Sequence, residues 1–245
     1  MAKKFKDYYD AECAAILAEK IHSVLPGFKK KEFISKLKKE LPAKEFLERQ
    51  DAFVEAFESF LSKDYKKNIS MFQMILGPEL NTTNGMFIYG WWLWPVGRYF
   101  EKHGTKDFQA SMDFIYELTK RFTGEFALRP LITKYPKQSL KIIHRWSKDK
   151  NVHVRRLASE GIRIRLPWAK KSIVALQEFD SYKKILTNLK SDPEKFVQKS
   201  VGNNLNDLMK ESSSKAREII SEWQKQNPTK ETLWIIKHGL RSQRK

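Results

Sequence analysis

Residues 149–156 read DKNVHVRR, and a similar pattern returns 43 residues later, where residues 192–199 read DPEKFVQK. Each copy places an Asp, which can cap a helix, before a valine and a basic residue. Asn227-Pro228 then follows Asp192-Pro193 after 35 residues. A recurrence of roughly 35 to 45 residues is typical of stacked helical pairs, in which each pair buries its apolar face against its neighbours. A chance match within a generic helical protein is the alternative.

The rest of the chain carries the same helical rhythm. In residues 43–61, apolar side chains recur on one side of a helix, namely Phe53, Phe57, Phe60 and Leu61. Alternating strand patterns are nearly absent, and Pro and Gly separate helices of ordinary length. We therefore predict an all-α protein, a curved solenoid of HEAT-like helical repeats with a concave basic face, which forms a single domain over residues 1–245.

Composition and charge narrow the class of partner. The 245 residues are 41% hydrophobic, which is enough for a folded core, and the net charge is +18. Because the basic residues are spread along the whole chain, nucleic acid is the leading partner, and an anionic membrane surface is the alternative. The sequence contains no apolar run long enough to span a bilayer, and its first residues lack an apolar stretch of signal-peptide length, so we expect no signal peptide. We expect a cytoplasmic, nucleoid-associated, bacterial monomer.

Several chemical classes find no support in the sequence. Cys13 is the single cysteine, and the five histidines show neither Cys partners nor the H-x-x-x-H spacing of a zinc site. The glycine-rich motifs that bind dinucleotides or nucleotide phosphates are missing as well. We therefore predict no metal and no cofactor.

Residues 76–104, LGPELNTTNGMFIYGWWLWPVGRYFEKHG, interrupt the helical rhythm. We predict a loop over residues 80–89 and a helix that begins near Trp91, with Pro95 in its first turn. The three neighbouring tryptophans form either a stacking platform or an aromatic core. Aromatic residues at helical spacing normally pack, so we favour the core.

Residues 152–168, VHVRRLASEGIRIRLPW, place a carboxylate within an arginine row. On one continuous helix, Glu160 would share a face with Arg156 and Arg163, and Trp168 would project where Pro167 stops the helix. An arginine row suits phosphate, whereas a carboxylate repels it. Either Glu160 only neutralises its two arginines, or it faces a cation that is bound against DNA.

The string RRLASEGIRIRLPW strongly resembles the signature of the AlkC branch of DNA alkylation repair glycosylases, which are HEAT-like repeat enzymes related to AlkD. LGPEL, WPVGRYFEKHG and FTGEFALRP resemble the same family, so the match runs from residue 76 to residue 207. The resemblance implies monofunctional hydrolysis of the N-glycosidic bond of alkylated bases, 3-methyladenine and 3-methylcytosine, in duplex DNA without full base flipping. By position it implies a catalytic set of Glu125, Glu160, Trp168 and Asp207.

The implied chemistry suits these residue types. A 3-methylated base is cationic and leaves as a neutral molecule, so carboxylates would stabilise the cationic sugar and an indole would contact the lesion. We expect the backbone phosphates to be bound by Arg155, Arg156, Arg163, Arg165, Lys148, Lys170, Lys171 and Lys199. On an ideal helix Arg165 lies opposite Arg156. The alternative is a non-catalytic HEAT-repeat scaffold that binds DNA or protein, which would bind duplex DNA but release no methylated base.

Some relatives carry an immunoglobulin-like domain after the repeats. In this sequence, a last helix that contains Trp234 is followed by a basic tail. This tail either supplies part of the DNA contact of such a domain or is frayed. Its basic residues are Lys237, Arg241, Arg244 and Lys245.

Overall fold

The computed structural model describes residues 3–243, so that Arg244 and Lys245 of the basic tail lie outside the described residues. Throughout this range the regular secondary structure is helical, which confirms the all-α prediction. The described helices include none that is long and apolar enough to cross a membrane. The chain forms two compact units, residues 1–127 and residues 128–245, and each is described by itself.

Helices α1 to α7 belong to the first unit. Their bounds are α1 Ala11–Val24, α2 Lys30–Glu40, α3 Phe46–Phe60, α4 Tyr65–Ile75, α5 Met86–Tyr89, α6 Trp94–His103 and α7 Phe108–Thr119. Helix α1 packs on α2 and α4, α3 on α2 and α6, and α4 on α7. Aromatic rings fill the core between them, and the rings of Phe100 and Phe114 stack with centroids 3.8 Å apart.

The tryptophan segment joins this core. Trp92 and Trp94 are buried, which confirms the predicted aromatic core, while Trp91 is partly exposed and packs edge-on against Tyr9. A 3₁₀ turn at Trp91–Leu93 leads into α6, and Pro95 lies in the first turn of this helix as predicted. The predicted loop over residues 80–89 is wrong at its end, because the helical turn α5 forms there.

Helix α8, Glu125–Lys134, begins in the first unit and ends in the second. The remaining helices of the second unit are α9 Pro136–Trp146, α10 Val152–Glu160, α11 Val174–Gln177, α12 Phe179–Leu189, α13 Lys195–Glu211, α14 Ser213–Gln224 and α15 Lys230–Gly239. Helix α13 packs on α10 and on α15, and α9 packs on α12. Pairs of helices therefore stack on pairs in this unit.

The repeat detected in the sequence is present in the second unit. Helix α13 begins 43 residues after α10, and α15 begins 35 residues after α13. The two repeated acids make the same turn, because Asp149 accepts a hydrogen bond from the Asn151 amide at 2.7 Å and Asp192 accepts one from the Glu194 amide at 2.9 Å. The recurrence is therefore structural rather than a chance match.

The continuous helix predicted over residues 152–168 is wrong, because α10 ends at Glu160. Its predicted packed side, with Val154, Leu157 and Ala158, is buried. Beyond Gly161 the side chains of Ile162, Ile164 and Leu166 are buried as well. Side chains at every second residue cannot all lie on one side of a helix. The chain therefore leaves the helix here and forms a loop over residues 161–173.

Candidate active site

A row of polar side chains on α13 organises the site. Ser200, Asn204, Asp207 and Glu211 recur at helical spacing on one face of this helix, and we call them the polar row. Each residue contacts the end of α10 or the loop that follows it. The Asn204 amide donates to the backbone oxygen and to the hydroxyl of Ser159, both at 2.8 Å. The polar row thereby holds the segment that contains Glu160 and Trp168.

The Glu160 carboxylate is 6% exposed and has a partner on each oxygen. Arg163 Nη1 donates to Oε1 at 2.7 Å, and the Ser200 hydroxyl donates to Oε2 at 2.5 Å. Arg156 Nη2 lies 3.6 Å from Oε1. Burial raises the pKa of Glu160, but the charges of Arg156 and Arg163 and the hydrogen bonds from Ser200 and Arg163 outweigh it, so the pKa lies below the usual 4.5. Glu160 is therefore ionised at neutral pH.

Arg163 joins Glu160 to a second buried carboxylate. Its Nε donates to Asp207 Oδ2 at 2.9 Å, and Nη2 lies 3.4 Å from Asp207 Oδ1. The backbone amide of Arg165 also donates to Asp207 Oδ2, at 3.3 Å. Burial lowers the pKa of Arg163, but Glu160 and Asp207 together raise it above its usual range. One guanidinium thus fixes two carboxylates from two helices.

Trp168 lies on the 161–173 loop and is 63% exposed. Its φ of +62° belongs to the left-handed region, which a bulky residue adopts only when its surroundings enforce it. Arg129 donates to the backbone oxygen of Arg163 at 2.5 Å and to that of Lys170, and the Ser172 amide donates to Ile164 O at 3.0 Å. These bonds close the loop on both sides of the tryptophan.

Glu211, at the end of the polar row, holds the loop by pairing with two of the loop's basic side chains. Arg165 Nε donates to Glu211 Oε1 at 2.6 Å, and Lys171 forms an ion pair with Oε2. The two cations are about half exposed, whereas the Glu211 side chain is buried beneath them. Sequence spacing alone gave no reason to pair these residues.

Glu125 is the first residue of α8 and is buried, with 5% of its surface exposed. It belongs to the first unit, whereas the other three residues of the predicted catalytic set belong to the second. Within the second unit the structure brings Glu160 and Asp207 together through Arg163. The shared catalytic role of all four residues stays a prediction.

The predicted phosphate contacts differ in their surroundings. Lys148, Lys170 and Lys199 are exposed. Arg155 pairs with Asp192 of the next repeat, with Nε 2.6 Å from Oδ2. Arg156 is partly exposed and lies 5.3 Å from the centre of the Phe196 ring.

Sequence reasoning missed four residues of this site, namely Arg129, Ser200, Asn204 and Glu211. A signal for three of them was present, because the polar row recurs at positions i, i+4, i+7 and i+11 of one helix. Arg129 carried no comparable signal, since the backbone oxygens to which it donates lie at least 34 residues away.

Comparisons with known proteins agree with this architecture. The model of the DNA alkylation repair enzyme family matches residues 106–242. An uncharacterised protein of Bacillus subtilis strain 168, YhaZ, is 34% identical over 239 residues, which are 97% of this chain and 64% of YhaZ. The Pseudomonas fluorescens alkylpurine DNA glycosylase AlkC, bound to DNA containing an abasic site analog, superposes with a TM-score of 0.85 at 30% identity.

The AlkC superposition covers 99% of this chain and 65% of AlkC. The chain thus spans less than two thirds of the length of either relative. The resemblance to AlkC that the sequence motifs indicated is confirmed.

Proposed function

Because the chain belongs to the DNA alkylation repair enzyme family, we propose that it is a monofunctional DNA glycosylase for cationic alkylated bases. The proposed substrates are 3-methyladenine and 3-methylcytosine in duplex DNA, and the protein acts as a monomer without full base flipping. The observation that carries the proposal is the pair of buried carboxylates, Glu160 and Asp207, which Arg163 joins beneath the loop of the exposed Trp168.

The charge of the substrate determines what the site must supply. A base methylated at N3 carries a positive charge, so cleavage of the glycosidic bond releases it as a neutral molecule and needs no strong general acid. The sugar becomes cationic as the bond breaks. Carboxylates held near C1′ stabilise this sugar and orient the attacking water.

The low pKa of Glu160 supports this role. A general acid needs a raised pKa, as the acid of a retaining glycosidase has. The arginines lower the pKa of Glu160 instead, which keeps the group anionic at neutral pH. Glu160 therefore acts as an electrostatic stabiliser, with Asp207 as the second carboxylate of the site, and Glu125 stays a predicted catalytic residue.

Trp168 supplies the aromatic contact of the proposed site. Its indole face can take a cationic lesion or the deoxyribose, which contributes about 0.5 to 2 kcal/mol. The loop is fixed before DNA binds, because Arg129 and Glu211 hold it on both sides of the tryptophan. The backbone of the loop therefore loses little conformational entropy when DNA binds.

The residues predicted to contact phosphate differ in how far their side chains are exposed. Lys148, Lys170, Lys171 and Lys199, with Arg165, are exposed and reach solvent, where they can meet the DNA backbone. Arg155 and Arg156 are partly exposed and complete the set. The burial of Arg163 between two carboxylates favours a positioning role for this residue over a phosphate contact.

A base-release assay tests the proposal. The protein is incubated with DNA that contains 3-methyladenine, and free base is measured by chromatography. We expect release by the parent and a loss of at least about 100-fold in Glu160→Gln, because an ionised stabiliser becomes neutral. DNA binding by this variant should be at least as tight as that of the parent, since a charge that repels phosphate is removed.

Three further variants test the remaining residues, namely Glu125→Gln, Asp207→Asn and Trp168→Ala. The matched control is Glu218→Gln, which alters an exposed carboxylate on α14 that pairs with Lys183. Equal release by the parent and all four site variants would refute the site assignment. A parent that releases no base would refute the function.

One observation favours a second candidate, a non-catalytic scaffold that binds DNA. Glu160 lies within ion-pairing distance of two arginines, an arrangement that salt bridges with a purely structural role also show. Such a protein binds methylated and undamaged duplexes alike and releases no base. The chromatographic assay separates the two candidates directly.

A further inference from the structure

A second charged site lies in the second unit, between α9 and α12. The two helices line a cleft of about 450 Å³ that shares no residue with the candidate active site. Lys137, Lys141 and His144 line it from α9, and Lys184 lines it from α12. Leu140 is also part of the cleft wall and is buried. The cleft thus combines an apolar residue with cationic side chains.

The lysines of this cleft form no ion pairs with the carboxylates of the described residues, whereas a neighbouring lysine does. In the described part of the chain, Lys137, Lys141 and Lys184 have no carboxylate oxygen within 4.0 Å, although Glu178 also lines the cleft. Lys183, one residue from Lys184 on the same helix, pairs with two glutamates at 2.8 Å each. The cleft therefore keeps a net positive charge, since three lysines face one glutamate.

The spacing of these cations matches a polyphosphate backbone. Lys137 and His144 lie seven residues apart on α9, which separates them by roughly 10 Å along the helix axis. One DNA strand presents a phosphate about every 3.4 Å of duplex axis, so a cleft of this length can face more than one phosphate. Single small anions would leave part of this length unused.

We propose that the cleft between α9 and α12 binds backbone phosphates of a second nucleic-acid segment, apart from the duplex held at the candidate active site. The choice of nucleic acid over other phosphate compounds rests on the family of the chain, whose members act on DNA. Lys137, Lys141 and Lys184 supply the charge, and the Ser181 hydroxyl supplies a neutral donor. A protein with two such sites can hold two DNA segments at once.

His144 reports occupancy of the cleft. Burial and then the charges of Lys148 and Lys184 lower its pKa below 6.5. The other charged side chains of the cleft are Lys137, Lys141 and Glu178. A bound phosphate offsets the lysine charges, so the pKa of His144 must rise when the cleft is occupied.

The test compares the parent with a triple variant, Lys137→Gln with Lys141→Gln and Lys184→Gln. The control carries Lys29→Gln with Lys31→Gln and Lys39→Gln, which removes the same charge from exposed lysines of the first unit. We expect calorimetry with a short undamaged duplex to find two duplexes bound to the parent and to the control, and one to the triple variant. The slope of log Kobs against log salt for the second binding step should have a magnitude of up to about 2.7, since each of up to three phosphates contributes about 0.9.

The source of the phosphate is tested through the His144 pKa, measured by NMR with inorganic phosphate alone and with the duplex. A rise with the duplex that the triple variant loses supports the proposal, whether or not inorganic phosphate also binds. A rise with inorganic phosphate only, or no rise with either probe, overturns it. Release of 3-methyladenine should be the same in parent and triple variant, so a parent that fails to release base refutes the proposed function and leaves this test intact.

Discussion

At the residue scale, the charge of Glu160 depends on its neighbours. A carboxyl group buried to this degree would be neutral at physiological pH without compensation. Arg163 and Arg156 reverse this preference, and the Ser200 hydroxyl satisfies the second oxygen. In the proposed function, Arg163 therefore acts on the reaction through the ionisation and the position of Glu160 rather than through contact with DNA.

This dependence predicts a change of pH profile in Arg163→Met. In the parent, the pKa of Glu160 lies below 4.5, so the stabilisation from its charge persists at higher pH and is lost only as the pH falls through that lowered value. Without Arg163, burial dominates and the pKa rises. Single-turnover base release should then lose activity toward acid between about pH 8 and pH 5, where the parent is flat.

Arg163→Lys is the control for this experiment, because it keeps the positive charge but cannot donate to both carboxylates as the guanidinium does. Removing one partner of a buried ion pair costs roughly 3 to 5 kcal/mol, so circular dichroism must first establish that Arg163→Met is folded. If it is not, Arg156→Met removes the more distant charge and should shift the profile less. Identical profiles in a folded Arg163→Met and the parent would contradict the assigned role.

At the element scale, the 161–173 loop is held by α8 and α13. Arg129 donates to two backbone oxygens of the loop, and Asp207 and Glu211 hold its basic side chains and one of its amides. Polar contacts from two helices thus hold Trp168 in a conformation that costs on the order of 1 to 3 kcal/mol. These contacts, and not the composition of the loop, hold its backbone in this conformation.

A double-mutant cycle tests this loop. Arg129→Lys keeps the charge but cannot reach both backbone oxygens, so base release should fall about tenfold, the equivalent of one charge-assisted hydrogen bond. In the Trp168→Ala background the same substitution should change the rate less than about twofold, because the residue it positions is gone. Arg145→Lys, at an exposed arginine of α9, is the control. An undiminished effect in the Trp168→Ala background would show that Arg129 does not act through the tryptophan.

The contact between α13 and α15 depends on glycine. A Cβ at Gly202 would lie 2.7 Å from His238 Cδ2, and His238 is itself stacked on Trp234. Gly202→Ala should therefore destabilise the protein by about 1 to 2 kcal/mol despite the better helix propensity of alanine. Gly97→Ala in α6 is the matched control, because its Cβ would meet Leu118 at an ordinary 3.7 Å. Urea unfolding measures both variants, and equal stabilities would contradict close packing at Gly202.

At the scale of the whole molecule, the net charge of +18 makes affinity for DNA sensitive to salt. In the proposed function, the exposed lysines contribute to this affinity irrespective of sequence or damage, whereas the candidate active site distinguishes a cationic lesion from a neutral base. The proposal thus assigns the attraction to DNA to the positive charge and the choice of reacting nucleotide to the carboxylates.

Lys170→Gln separates these two contributions. Removing one phosphate contact should weaken binding to methylated and undamaged duplexes by the same factor and reduce the slope of log Kobs against log salt by about 0.9. Lys183→Gln is the control. Because Lys183 already pairs with two glutamates, this substitution should leave the slope unchanged. Fluorescence anisotropy over a salt series gives both quantities. A loss confined to methylated DNA would place Lys170 at the lesion instead of at the backbone.

The sequence alone determined the features that arise from short stretches of chain. Apolar periodicity and Pro placement predicted the helical class, the first turn of α6 and the recurrence of α10 and α13. The family followed from a string of fourteen residues, RRLASEGIRIRLPW. Local hydrogen bonding and helical geometry suffice for such features, because their partners lie within a few residues.

Tertiary structure alone decided the geometry of the site. The end of α10 at Glu160, the bond from Arg163 to Asp207 across 44 residues and the bonds from Arg129 to the tryptophan loop all depend on how helices pack. An arginine four residues from a glutamate on a helix predicts only a surface salt bridge. Packing against α13 buries that glutamate and joins it to a second carboxylate, because side chains distant in sequence become neighbours only when their helices meet.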